Sequence, residues 1–262
     1  MRYPIRALNI CALGLIICLG LTQCAEKQSE TEGQKMKTVI LRGFDGLNIK
    51  ADVYEADATD APVILLFHQA RYSRGEYRTI APRLNQLGFT CIAIDQRSGD
   101  AVKGVKNDTY AQAIELGLGT HYIDAYPDLQ IALKHVKDIY KPKKLIVWGS
   151  SYSAALVLVL AKEYAADIAG LVAFSPGAYF SYEKKSMVEY AQQLTCPVFM
   201  TSSREEAPSV QELFDAIKGD NKTFFIPEEQ GEHGSKALWA NNKGNEKYWE
   251  AIEGFLKRVK ES

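Results

Sequence analysis

The sequence predicts an α/β protein: a mostly parallel sheet of about eight strands, opened by an antiparallel hairpin and covered by helices on both faces. Three observations carry this. Beyond residue 60, short apolar runs bounded by turn residues alternate with longer helical stretches. One such run, Val63-Ile64-Leu65-Leu66-Phe67, is apolar at every position, as in strands buried on both faces. Two earlier runs flank Gly43-Phe44-Asp45-Gly46, a hairpin signal.

The first residues stand apart from this pattern. Arg2 and Arg6 precede an apolar stretch over 8–21, followed by Thr22-Gln23-Cys24 and a polar run over 26–37. Positive residues ahead of a short apolar segment describe an export signal, too short to span a bilayer. Cys24 resembles the lipid-modified cysteine of a bacterial lipoprotein signal. Residues 1–23 are therefore read as signal, 24–37 as a flexible tether and 38–262 as the folded domain. The expected membrane contact is the N-terminal lipid alone, on the periplasmic or surface face.

The elements follow in order. Strands are expected over 38–41 and 47–54, and Pro62 opens a strand over 63–67. A helix over 76–87 is closed by Gly88 and followed by a strand over 89–94. Residues 95–122 form the longest stretch without a clear element, read as a loop with one short helix bordering a cleft. A helix over 124–140 stops before Pro142, and a strand over 144–148 leads into a helix over 154–164. Strands over 168–174, 198–201 and 222–226 then alternate with helices over 184–193, 210–217 and 246–259.

About 225 residues suffice for one hydrophobic core. Cleavage ahead of Cys24 removes Arg2 and Arg6 and leaves 29 basic against 32 acidic residues. With no basic stripe, aromatic-basic alternation or zinc-finger spacing, nucleic acid is not an expected partner. No His-Glu-x-x-His or other ligand spacing calls for a metal, and no glycine-rich phosphate loop calls for a nucleotide cofactor. Cys91 and Cys196 lie in or beside apolar strand patterns and read as buried free thiols.

In parallel α/β sheets the chemistry collects beyond the carboxyl ends of the strands. Four groups pass that filter: His68 to Ala70, Ser151, Glu205 with Glu206, and His233. Ser151 is the most informative. Leu145-Ile146-Val147-Trp148 runs into Gly149-Ser150-Ser151-Tyr152-Ser153 and then into a helix, which lifts one hydroxyl out of the sheet toward a helix N-terminus. A serine hydroxyl attacks only when an imidazole accepts its proton and a carboxylate orients that imidazole. His135 is mid-helix and His121 sits in the long loop. His68 reads as a residue shaping the floor of an oxyanion pocket. His233, in a glycine-bounded loop after the last strand, is the best base. Glu205 and Glu206 follow the 198–201 strand, and either can serve as the acid. Backbone N–H groups of Tyr152 and Ala70 would hold the oxyanion. His68, Gln69, Tyr72 and Tyr179 are placed at the substrate pocket, with Phe180 and Tyr182 as further candidate walls.

These features resemble the α/β-hydrolase family over roughly residues 38–260. The family elbow Gly-x-Ser-x-Gly appears as Gly149-Ser150-Ser151-Tyr152-Ser153, with Ser153 at the final glycine. The family's His-Gly pair appears as His68-Gln69. By spacing from Pro197, Glu206 falls where the family's acid stands, with Glu205 as the fallback, and His233-Gly234 matches the late histidine segment. The interval from Phe174 to Lys184 leaves no room for a large lid. The compact build is similar to the dienelactone-hydrolase-like and small carboxylesterase branches, with serine as the nucleophile. The resemblance implies a serine hydrolase acting on a small acyl substrate through a Ser-Glu-His triad. A peptidase or amidase of the same fold, or a lipoprotein that binds without turnover, are the other readings.

Overall fold

The computed structural model describes residues 36–262; the expected signal and most of the expected tether lie outside them. The first strand, β1 (Met36–Arg42), turns through Gly43 to Gly46 and pairs antiparallel with β2 (Asn48–Tyr54), as the hairpin signal predicts. It starts two residues before the expected 38. The Gly43 N–H closes the turn on the Leu47 carbonyl at 2.8 Å, and Gly46 takes a φ of 84° that a Cβ would strain.

The chain then enters β3 (Val63–Phe67) and crosses to β4 (Thr90–Ile94) at its side. The crossover is not the single helix expected over 76–87. A 3-10 turn at Arg74–Tyr77 is followed by a separate α1 (Ala81–Gln86). Pro82 explains the break: it has no N–H to donate and its ring crowds the preceding turn, so it is tolerated only in a helix's first turn, where it sits. Residues 95–122 hold the one helix anticipated, α2 (Asp108–Glu115), capped by the Asn107 side chain. They also hold a small hairpin, β5 (Ala101–Val102) with β6 (Val105–Lys106), that two-residue strands leave unsignalled. Buried ion pairs pin this segment. Arg74 donates to Asp52 at 2.9 Å and pairs with Asp95, while Arg97 forks onto Asp128 at 2.6 and 3.0 Å.

The helix α3 (Tyr126–Ile139) brings the chain back across β3 to β7 (Leu145–Ser150), followed by α4 (Tyr152–Glu163), β8 (Gly170–Phe174), α5 (Met187–Ala191) and β9 (Val198–Thr201). The last elements are α6 (Ala207–Ala216), β10 (Lys222–Phe225) and α7 (Asn245–Glu261). The helix expected over 184–193 is the shorter α5, because Ser186 caps it through the Glu189 N–H and Lys184 before it takes a left-handed φ of 64°.

The eight-stranded sheet runs β1-β2-β4-β3-β7-β8-β9-β10, antiparallel only at the β1–β2 and β2–β4 edges. Each central strand feeds both cores through its two-residue period: Val63, Leu65 and Phe67 pack under α3 and α4, whereas Ile64 and Leu66 pack against α1 and α7. Strand order reverses between β3 and β7, with Phe67 paired to Gly149. The turns after these two strands therefore leave the sheet side by side at its topological switch point, where ligands bind in such sheets. Cys91 and Cys196 are free thiols. Among the described residues no helix is long and apolar enough to cross a membrane.

Candidate active site

Ser151 closes β7 and caps α4 with φ 59° and ψ −123°, a backbone state that costs energy in an L-residue and persists where the surroundings enforce it. Its N–H is held by the Phe174 carbonyl at 2.8 Å. The tightness comes from Gly149. A Cβ there would lie 2.3 Å from the Ser153 carbonyl oxygen and 2.6 Å from the Ala154 Cα, inside the backbone of α4. Ser153, at the position of the elbow's last glycine, is wholly buried and uses its hydroxyl: it donates to the His68 carbonyl at 2.5 Å and accepts from Gln96 Nε2 at 2.7 Å.

His233 stands in the loop after β10, and its Nε2 is 2.8 Å from Ser151 Oγ. Its Nδ1 hydrogen-bonds Glu206 Oε1 at the start of α6. An ionised carboxylate only accepts, so the ring proton sits on Nδ1 and Nε2 is left to accept from the serine. Glu205, the alternative acid, is exposed and instead accepts from Gln230 Nε2 at 3.3 Å. Burial pushes the Glu206 carboxyl up, but His233 and the Ser175 and Ser203 hydroxyls outweigh it and lower it to about 2. Glu206 Oε2 accepts those hydroxyls at 2.8 and 2.9 Å.

That depression has a checkable sign. A carboxyl lowered on folding from 4.5 to about 2 contributes stability that is complete above pH 4.5 and lost as pH falls through about 2. The stability gap between wild type and Glu206→Gln is therefore expected to be constant from neutral pH to 4.5 and to shrink below it. Denaturant melts of both proteins at stepped pH measure this; a gap that does not change between pH 4.5 and 2.5 would count against it.

His68 is wholly buried and does not face a cleft. Its Nε2 accepts the Gln96 N–H at 2.9 Å, so Nδ1 carries the proton and donates to the Gln69 carbonyl at 2.8 Å. Burial lowers it to about 4, so it is neutral at physiological pH. This bond has a geometric consequence. The Gln69 carbonyl and the Ala70 N–H belong to one trans peptide plane and point opposite ways. Drawing the carbonyl onto His68 turns the Ala70 N–H away from the floor. Neither Ala70 nor Tyr152, at the first position of α4, spends its N–H on an acceptor among the described residues.

The aromatic candidates separate. Tyr179 donates to the Ser175 carbonyl at 3.1 Å and borders Ser151; burial raises its phenol, with a hydrogen bond to Ser151 opposing. Tyr122 stacks on Tyr152 at 4.7 Å and meets Tyr179 edge-on. A cavity of about 430 Å³ opens there, lined by Thr120, His121, Tyr122, Ile123, Tyr179 and Phe180. Tyr72 stacks on Trp239 at 6.1 Å. Tyr182 turns instead toward Tyr126 and Tyr190. Neither the cavity of about 430 Å³ nor a larger one of about 490 Å³ beside Arg204 and Pro208 is lined by Ser151, His233 or Glu206; the first lies closer to the site because Tyr179, in its wall, borders Ser151.

Sequence reasoning passed over Ser175, Ser203 and Glu76. Ser175 follows β8 and satisfies the same strand-end filter that selected the others; Glu76 carried no signal because it reads as the first residue of an ordinary helix. Among the described residues no group of three or more His, Cys, Asp or Glu side chains is arranged to hold a metal ion.

Solved structures show the same architecture. An esterase from Pyrococcus furiosus superposes with a TM-score of 0.62 at 20% identity, covering 86% of this chain and 92% of its own. A dienelactone hydrolase from Anabaena variabilis gives 0.67 at 12% identity, covering 86% and 97%. Est1E from Butyrivibrio proteoclasticus, with ferulic acid bound, gives 0.66 at 11% identity, covering 86% and 100%. These likenesses show the α/β-hydrolase fold. No curated protein matches the sequence. Residues 59–221 match the family described as "Serine aminopeptidase, S33". With that match spanning most of the folded chain, the protein belongs to this family and is a serine hydrolase of the α/β-hydrolase fold.

Proposed function

We propose that the protein hydrolyses a small carboxylic ester through an acyl-enzyme on Ser151. The observation that carries this reading is the unbroken relay from Ser151 Oγ to His233 Nε2 at 2.8 Å and on through Nδ1 to Glu206. His233 takes the Ser151 proton as Oγ attacks the carbonyl carbon, and the oxygen gains charge between the Ala70 and Tyr152 N–H groups. The protonated imidazole then gives its proton to the departing alkoxide. Water, deprotonated by the same nitrogen, attacks the acyl carbon and releases the acid, restoring Ser151. Glu206 stays ionised throughout and balances the imidazolium.

The family description gives a second reading, cleavage of an amino-terminal peptide bond by the same relay. An aminopeptidase needs an acidic group to hold the substrate ammonium. The cavity beside Tyr179 is lined by Thr120, His121, Tyr122, Ile123 and Phe180, none of them acidic. A substrate group reaching that cavity past Tyr179 would meet no carboxylate there.

Treating the protein with a fluorophosphonate and mapping the adduct tests the chemistry. Label is expected on Ser151 and absent from Ser151→Ala. A panel of short esters and aminoacyl amides then separates the two readings. A folded wild type that takes no label would refute the hydrolase reading; turnover of aminoacyl amides without esters would favour the second.

A further inference from the structure

One buried carboxyl group lies directly beneath the site and takes no part in the reaction described above. Glu76, in the 3-10 turn after β3, is wholly buried. Its Oε2 accepts the Gln69 N–H at 2.8 Å and its Oε1 accepts the Ser150 hydroxyl at 2.7 Å. Ser150 Oγ in turn accepts the Ser235 N–H at 2.8 Å. The Ser235 hydroxyl accepts the indole N–H of Trp148 at 2.9 Å, and the Trp239 indole donates to the Glu76 carbonyl at 3.0 Å.

These partners are the immediate neighbours of the reacting groups. Gln69 precedes Ala70, Ser150 precedes Ser151, and Ser235 follows His233 by two residues. A single carboxylate thus holds the oxyanion turn and the elbow directly and the histidine loop through Ser150. Its cost is considerable: burial drives Glu76 up to about 7, against the Gln69 and Ser150 hydrogen bonds that favour the ionised form. A well-packed apolar residue is often at least as stable as a buried charge of similar volume, so stability alone does not account for a carboxylate here.

We propose that Glu76 is a positioning residue for the acyl-transfer site, using its two oxygens to hold the Gln69 N–H and the Ser150 hydroxyl so that the Ala70 N–H and Ser151 Oγ converge on one carbonyl group. This inference rests on the ester-hydrolase reading. His68 fixes the Gln69 carbonyl from one side and Glu76 fixes the Gln69 N–H from the other, so the two peptide planes that set the direction of the Ala70 N–H are both held. A displacement of about 1 Å at a reacting centre costs about 10²-fold in rate.

Glu76→Gln keeps the shape, but with its one oxygen on the Gln69 N–H its NH₂ points at Ser150 Oγ, and the Ser150 hydroxyl proton loses its acceptor. The expected result with 4-nitrophenyl acetate is a kcat lower by roughly 10- to 100-fold per folded molecule, with KM within about threefold of wild type. The second-order rate of fluorophosphonate labelling should fall by the same factor. Ser150→Ala removes one arm of the grip and should show the same split. The double variant should lose little more than the worse single, because both act through one contact. A lowered Tm with wild-type kcat in Glu76→Gln would overturn the proposal and leave Glu76 a packing residue. If Glu76→Gln does not fold, Ser150→Ala decides, and a kcat within about twofold of wild type overturns it. Absence of both turnover and label in the wild type would sink the hydrolase reading itself, which is a different result from an active wild type with an equally active Glu76→Gln.

Discussion

Replacing Ser151 by alanine is expected to lower kcat/KM for a short ester by roughly 10⁴- to 10⁶-fold while leaving the fold in place. The hydroxyl is the only atom lost, and its hydrogen-bond partner is His233 Nε2 at 2.8 Å. His233→Ala should cost about as much, because the serine is then left without a proton acceptor. The double variant should be no slower than either single variant: once the relay is cut, only binding and the backbone N–H groups of Ala70 and Tyr152 remain to act. Initial rates for the three variants, with far-UV circular dichroism to check folding, measure this. If Ser151→Ala retained more than about a hundredth of wild-type activity, another nucleophile would be at work.

Gly149→Ala is expected to destabilise the protein by about 3 kcal/mol, the high end for overpacking a tight core. The reason is the partner met, not the size of the methyl group. The new Cβ would fall 2.3 Å from the Ser153 oxygen and 2.5 Å from the Ser153 carbonyl carbon, both backbone atoms of α4. A side chain can rotate away, whereas α4 must shift bodily from β7, and Ser151 and the Tyr152 N–H move with it. Activity is therefore expected to fall in the molecules that remain folded. Urea unfolding gives the stability change and steady-state kinetics give the rest. A midpoint equal to wild type would show that the helix relaxes freely and that the close approach is not needed.

Much of this architecture is legible along the chain. The four central strands β4, β3, β7 and β8 announce themselves as apolar runs of four or more residues, and the hairpin and elbow announce themselves through small residues at forced turns. The exceptions have local causes: Pro82 splits a stretch that otherwise reads as one helix, Ser186 shortens α5, and the two-residue strands β5 and β6 are too short for any period to show. The strand-end filter singled out Ser151, Glu206 and His233, which the fold brings into one hydrogen-bonded row, because a parallel sheet sends all its carboxyl ends to one side. It passed over Ser175, although that residue obeys it, because a serine after a strand is too common to notice.

The sequence by itself determined the alternation of strand and helix, the elbow at Ser151 and the short set of side chains available to it, since each depends on the period and turn chemistry of a few adjacent residues. Only the tertiary structure decided which of them meet. Glu206 rather than Glu205 reaches His233 across 27 residues, and His233 reaches Ser151 across 82. Glu76, polar and unremarkable in the chain, is drawn under the elbow 74 residues away. Such pairings depend on the sheet's crossover order and on which hydrogen-bonding groups are sealed from water with no other partner. Neither is written in any local pattern of residues.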